Sequence, residues 1–432
     1  MVRASQGAAV IQGEAILKNN QVFGEPFYRL SVFDFTETKE DFMIINAKIH
    51  TMDSKNTVIE KGYIRYQNGK IIAMGDMDSI EIIDSEVLNL CGKSVYPGFV
   101  DAHTHLGMFG DSICFEGDDG NEDSDPIMPQ LRAIDAVNPM DGYFQEALAA
   151  GITTVLTGPG SADPIAGQIA AVKTYGRCID KMIIAAPVSI KFALGENPKS
   201  TFHDKDQSPV TRMATAALIR ETLTKARRYY IDKKNAFEDK ENDDSPEFDA
   251  KYDALVPLFQ KEIPAHFHVH RADDIFTALR ISKEFDIDCV LVHATEAHLI
   301  TEELSEANIK GILSGPFLTD RSKPELKNMT PRSPGIISSH SIPTAIITDH
   351  PETPIQYLTL CAAVAVREGM DSTKALRAIT IEPAKICGIS ERVGSIEIGK
   401  DADFVIYDGD PLDIMNKPVS VFVNGRSVFS RE

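Results

Sequence analysis

Histidine recurs in this chain at the ends of several apolar runs. "PGFVDAHTHL" (97–106) closes on His103 and His105. "AHFHVHRADD" (265–274) carries His266, His268 and His270 at alternate positions. "CVLVHATEAH" (289–298) ends its apolar run on His293, with His298 beyond, and "AIITDHP" (345–351) ends on Asp349 and His350. Residues two apart on an extended chain point to one face. An H-x-H pair therefore presents two imidazoles together, either to one cation or to backbone and water at a strand end. Imidazole and carboxylate are ligands for zinc and its first-row neighbours. Four such segments brought together would make a metal site, and the chemistry such a site offers is activation of water.

Strands ending on one side of a fold would bring them together. Eight β-rich segments stand in order: "SVYPGFVDAH", "GITTVLTG", "GQIAAVKTYG", "SIKFALG", "AHFHVH", "CVLVHA", "GILSG" and "TAIITDH". Amphipathic stretches separate many of them. "TRMATAALIRETLTKARRYY" (211–230) has helical periodicity, "DDIFTALRISKEF" (273–285) has Asp273 and Asp274 placed to cap a helix, and "TKALRAITIEPAKICG" (373–388) ends a helix near Pro383. This rhythm predicts an α/β fold, a parallel (β/α)8 TIM-like barrel whose working residues lie at the C-terminal ends of its strands. The third and fourth strands are the least defined, because "MIIAAPV" (182–188) is also a strand candidate.

Both ends of the chain have a different texture. "FMIINAKIHTMD", "GYIRYQNGKIIAMGD", "GSIEIGKDADFVIYDGD" and "PVSVFVNGRSVF" are short β-rich runs, with hairpin signals at Asn68-Gly69 and Asn424-Gly425. The expectation is a small β-sandwich domain built from residues 42–95 and 391–432, with the barrel, 96–390, inserted in it. Residues 1–41 read as an N-terminal extension with no assigned role. Two acidic stretches, "EGDDGNEDSDP" and "FEDKENDDSPEFD", read as solvated loops.

The net charge of −20 and pI near 5.0 argue against nucleic acid and anionic membrane as partners and fit a soluble, cytoplasmic protein. The six cysteines are scattered without a C-x-x-C pair, as in a reduced compartment. No apolar stretch approaches the roughly 20 residues that span a bilayer, and the N-terminus has no signal-peptide core. The expected partner is a small-molecule substrate, with a homo-oligomer as a further possibility.

"PGFVDAHTHLG", the fifth-strand histidine, "VHATE", "TDHP" and the closing "GSIEIGKDADFVIYDGDP" together resemble the amidohydrolase superfamily of metal-dependent hydrolases, in its imidazolonepropionase-like and prolidase-like branch. The resemblance covers residues 42–432. It implies a barrel with a small β-sandwich and one or two divalent metals, zinc being the expected one, at the barrel mouth. Carried over residue by residue, it implies His103, His105, His268, His293 and Asp349 as metal ligands. His268 is chosen over its neighbours because "FHVHRADD" resembles the family's fifth-strand pattern at its first histidine. His270 would touch substrate, as would Arg271 unless it pairs with Asp273 or Asp274, and His266 would be structural.

Members with two metals also need a bridging group. Lys191, carrying carbon dioxide as a carbamate, or Glu196 unmodified would supply it; without either the site holds one metal. Asp349 would be the catalytic acid/base, orienting water, taking its proton and passing it to the departing nitrogen. The implied activity is hydrolysis of a C–N bond other than an ordinary peptide bond, in a cyclic amide, an N-acyl compound or a dipeptide. The alternatives are a prolidase-like dipeptidase or an imidazolonepropionase, and beyond these a non-catalytic dihydroorotase-like scaffold, which would lack several of the five ligands present here.

Overall fold

The computed structural model describes residues 41–80, 86–110, 114–238 and 246–431. The N-terminal extension up to residue 40, and residues 239–245 of the second acidic stretch, lie outside the described residues. Among the described residues, sixteen strands form two sheets.

The first sheet is built from both chain ends. β1 (Asp41–His50), β2 (Val58–Gln67), β3 (Lys70–Asp76), β4 (Glu86–Asn89) and β5 (Ser94–Pro97) come from one end; β14 (Phe404–Tyr407), β15 (Ser420–Val423) and β16 (Arg426–Ser430) come from the other. Their order is β16-β15-β14-β5-β1-β2-β3, with β4 also paired to β1. The join is antiparallel pairing of β5 with β14, Pro97 to Tyr407 at its ends. Both expected Asn-Gly hairpins form. Asn68 and Gly69 have φ of 51° and 74°, and Asn424 and Gly425 have 49° and 74°. Positive φ at both central residues is the type I′ geometry whose twist suits a hairpin.

The second sheet is the barrel. β6 (Phe99–Thr104), β7 (Ile152–Thr157), β8 (Ile165–Lys173), β9 (Ile183–Ala193), β10 (Ala265–Val269), β11 (Cys289–His293), β12 (Gly311–Ser314) and β13 (Thr344–Ile346) lie side by side in that order. The seam between β13 and β6 is drawn together at the mouth, where Asp349 N–H donates to His103 O (3.1 Å) and His105 N–H to His350 O (2.9 Å). β5 passes into β6 through Gly98. A Cβ there would stand 2.0 Å from Thr153 Oγ1, so the backbone approach demands glycine.

The barrel departs from a uniformly parallel one at β8, which runs antiparallel to both β7 and β9. The reason is length. A parallel crossover needs about a dozen residues or more, and segments 158–164 and 174–182 are too short, so the chain turns back as a meander. β9 takes in "MIIAAPV" and "SIKFALG" as one strand.

The remaining units carry outer helices, which include Arg212–Glu238, Ala250–Phe259 and Ala272–Phe285. The last buries Ile275, Ala278, Ile281 and Phe285 along one stripe against the sheet, each large side chain contributing about 2 kcal/mol. Its start differs from expectation. Arg271 is the N-cap residue, Asp273 and Asp274 lie in the first turn, and Glu296 Oε2 accepts from Ala272 N–H at 2.9 Å. "TKALRAITIEPAKICG" divides into two short helices, Ser372–Arg377 and Ile381–Ile386, with Pro383 inside the second, where a missing N–H in the first turn costs little.

A buried ionic cluster fastens the barrel floor to the first sheet. Lys173, at the end of β8, pairs with Asp401 (2.9 Å) and Asp403, and Arg392 also reaches Asp401 (2.9 Å). No helix among the described residues is long and apolar enough to cross a membrane.

Candidate metal centre

Side-chain parity explains part of how the site assembles. On β10, Phe267 and Val269 pack outward among the helices, while His266, His268 and then His270 point inward. On β9, Ile190 and Phe192 pack outward, which turns Ser189 and Lys191 inward, and Lys191 stands opposite His266 in the ladder.

His293 does not follow parity. Val290 and Val292 fill the barrel interior, so a continued strand would send residue 293 outward. Its backbone instead takes φ 65°, and Asp349 takes φ 55°. The left-handed region costs a non-glycine residue roughly 1–2 kcal/mol, and here it re-aims His293 into the mouth. His103 likewise breaks the alternation set by Val100 and Ala102, at a register shift between Asp101 and Thr104.

Two groups of ligand atoms result, His103 with His105 and Asp349, and His268 with His270 and His293. Within each, one donor atom per residue lies within 4.8 Å of the others. Asp349 Oδ1 is 3.3 Å from His103 Nε2 and 3.4 Å from His105 Nε2. The imidazole rings of His103 and His293 connect the groups, 5.4 Å apart at their centroids.

Hydrogen bonds fix the tautomers. His105 Nδ1 lies 2.7 Å from Gly158 O and His293 Nδ1 2.7 Å from Gly315 O. A carbonyl only accepts, so both Nδ1 atoms carry the hydrogen and both Nε2 lone pairs face the mouth. Gly315 has φ 138°, and a Cβ there would meet Ile347 O at 2.4 Å, so the residue that orients His293 must be glycine.

Burial holds His103, His268 and His270 well below the usual imidazole range, and His293 at about 4. These rings are therefore neutral at pH 7, as metal ligands must be. Burial pushes the Asp349 carboxyl upward, but the His293, His103 and His105 imidazoles packed around it outweigh that and hold it well below the usual carboxylate range, so it is ionised. Both ring nitrogens of His268 and Asp349 Oδ1 are buried without a hydrogen-bond partner. Orphaned acceptors, oriented Nε2 lone pairs and an ionised carboxylate fit a divalent cation held by imidazole and carboxylate.

Lys191 is fully buried, with Nζ 3.0 Å from His103 Nε2. Burial lowers it to about 8, so a substantial fraction is neutral amine near physiological pH. Its charge also acts on His268, His270 and His293, so it stands close to both groups.

The other candidates are placed differently. Glu196 begins the helix Glu196–His203 and belongs to neither ligand group; its N–H donates to Glu325 Oε2 (3.1 Å). Arg271 is paired with Asp273 (2.8 Å) and is absent from the cavity lining. His266 is buried below the ligands with neither ring nitrogen partnered.

The ligands open into a cavity of about 570 Å³, lined by His105, His268, His270 and Asp349 on the floor side. Its walls include Gly160 to Ala162, the helix start with Asn197, residues 316–329 with Lys323, Phe109 and Asn121 after β6, and Pro351 and Glu352 after β13. Sequence reasoning did not single out Lys323, Asn197 or Glu352, although "TGPGSAD", "GENPK" and "SGPFLTDRSKPE" all lie on the mouth side.

An amidohydrolase from Thermotoga maritima MSB8 superposes with a TM-score of 0.85 at 39% identity, covering 90% of this chain and 100% of that one. The chain belongs to the amidohydrolase family. The amidohydrolase family model matches residues 232–428, which include His268, His293 and Asp349. This amidohydrolase is also 27% identical over 394 residues to the amidohydrolase tasK of Hapsidospora irregularis, covering 87% of this chain but only 40% of that relative. It is 24% identical over 392 residues to an imidazolonepropionase of Maricaulis maris (strain MCS10), 85% of this chain and 93% of that one.

Proposed function

We propose that this amidohydrolase is a metal-dependent hydrolase of a C–N bond in a small molecule: a cyclic amide, an N-acyl compound or a dipeptide. The observation that carries the reading is the meeting of two donor groups, His103 with His105 and an ionised Asp349, and His268 with His270 and His293, beside a buried Lys191 at the mouth of the barrel. Similarity to the imidazolonepropionase supports an amide of a small molecule over a protein substrate.

His103, His105 and Asp349 would hold one divalent metal, zinc by the chemistry of the donor set, and His268 and His293 a second, with His270 in the same donor group. Such metals, when bound, lower the pKa of water and polarise a carbonyl. Asp349 accepts a proton from the attacking water at its carboxylate and returns it to the leaving nitrogen. The imidazoles around it hold its carboxyl well below the usual range, which keeps it ionised for the first of these steps.

Lys191 would supply the bridge. The neutral Nζ adds to the carbon of carbon dioxide, an N–C bond forms as one C=O π bond shifts its electrons to oxygen, one N–H proton leaves to solvent, and a neutral buried amine becomes an anionic carbamate. Burial that lowers the lysine pKa favours this step, and the placement of Glu196 outside both groups leaves Lys191 as the better bridging candidate.

The test is divalent metal per chain after reconstitution with and without bicarbonate, alongside hydrolysis of N-acyl amino acids, dipeptides and cyclic amides. Two metals, rising with bicarbonate, support the bridged site. One metal indifferent to bicarbonate rejects the carbamate, and none rejects the metal reading altogether.

A further inference from the structure

The cavity wall holds a cation that the proposed reaction does not use. Among the described residues lining the cavity, Lys323 is the one lysine or arginine. Its Nζ donates to Asn197 Oδ1 at 2.6 Å, and Asn197 Nδ2 donates to Ser161 Oγ at 2.7 Å. Glu325 Oε1 stands 3.3 Å from the same Nζ. The ammonium is thus pinned where three loops converge, by Ser161 after β7, Asn197 after β9 and its own segment after β12. Its hydrogen bond is to Asn197 and Glu325 is an ion-pair neighbour, which leaves donor capacity on the ammonium for a ligand.

Glu325 is one part of this lysine's setting: its Oε2 accepts from Glu196 N–H (3.1 Å) and lies 3.5 Å from Arg212, which is itself paired with Asp274 (2.9 Å). The Asn197 bond is the contact that fixes the ammonium at the cavity wall. Around it the lining is rich in hydroxyls: Ser161, Ser200, Thr201, Thr319 and Ser322. One ammonium with hydroxyl and amide neighbours suits an oxyanion. The nearby carboxylates of Glu325, Glu352 and Asp349 make a dianionic phosphate a poor fit and a single carboxylate a good one.

We propose that Lys323, held by Asn197, binds a carboxylate of the substrate, so that the amide cleaved belongs to a carboxylate-bearing molecule such as an N-acyl amino acid or a dipeptide. This rests on the amide-hydrolase reading and narrows it. Lys323 is a binding residue, and removing it should act on KM more than on kcat.

The experiment compares N-acetyl amino acids and dipeptides with their C-terminal carboxamides, using the metal-loaded full chain. Wild type is expected to prefer the carboxylates, and the preference to decline with added salt. Lys323→Met should raise KM for the carboxylates by about 10- to 100-fold, leave the carboxamides unchanged, and keep full metal content. Lys323→Arg should retain part of the preference. Cleavage of carboxamides as fast as carboxylates by wild type overturns the subsite but leaves the amide reading standing. Equal losses on both series in Lys323→Met also overturn it. Cleavage of neither series overturns the subsite together with that reading. Should Lys323→Met fail to fold, the wild-type preference and its salt dependence still decide.

Discussion

Replacing Lys191 with methionine should make the metal-free, carbon-dioxide-free protein more stable at pH 7, although it deletes a polar contact in the site. The lysine is lowered from its usual 10.5 to about 8, chiefly by burial. The unfolded chain therefore binds more protons between those values, and stability rises with pH across that window. Below pH 8 the penalty is fully present, and 2.5 pKa units correspond to about 3 kcal/mol. Methionine fills nearly the same volume and removes the penalty. It also strips His103 Nε2 of the partner it has at 3.0 Å, which costs about 1 kcal/mol. The net expectation is a gain of about 2 kcal/mol at pH 7, narrowing to about 1 kcal/mol at pH 9 as the wild-type lysine loses its proton. Urea unfolding at both pH values, on protein stripped with chelator under carbon-dioxide-free buffer, reads this directly. A variant less stable than wild type at pH 7, or a gap that widens as pH rises, would refute the reasoning.

Four other substitutions probe separate parts of the account. His103→Ala and His293→Ala should each lose bound metal by elemental analysis, and full metal content in both would remove the ligand assignment. Asp349→Asn should keep its circular dichroism spectrum while turnover on the amide substrate falls by about 10²- to 10⁴-fold; near-normal turnover would contradict the proton-transfer role. Lys173→Met leaves Asp401 and Asp403 with less positive charge at the barrel floor and should cost about 3 kcal/mol in denaturant unfolding. An unchanged midpoint would mean that Arg392 (2.9 Å) and Lys70, whose Nζ lies 2.5 Å from Asp401 Oδ1, suffice for Asp401.

The eight barrel strands were legible as short apolar runs, and the histidines as their last residues, because burial and strand termini leave compositional marks. Direction was not legible. Nothing in the pattern of "GQIAAVKTYG" distinguishes a strand running down the barrel from one running up, and only the shortness of segments 158–164 and 174–182 carried the information. His268 could be placed inward from its parity with His266, but His293 owes its aim to a left-handed backbone that periodicity does not encode. The grouping of His270 with His268 and His293 depends on the barrel's curvature, as does the convergence of Lys323, Asn197 and Ser161 from three distant loops. Arg271 and the aspartates after it illustrate the opposite case. Their pairing is local and was one of the alternatives open in the sequence, and the loop resolved it towards Asp273.

The reversed strand β8 changes which parts of the rim can be exchanged independently. In a run of parallel units, each loop at the mouth joins a strand to its own helix and can be lengthened or transplanted with that helix as a cassette. Here segment 158–164, which carries Gly160, Ser161 and Ala162 into the cavity wall, is instead a tie between two neighbouring staves, with both ends fixed in the same sheet. A transplanted segment there must match the separation and register of β7 and β8, so variation in substrate range is more readily accommodated by the 316–329 loop, which has no such double anchorage.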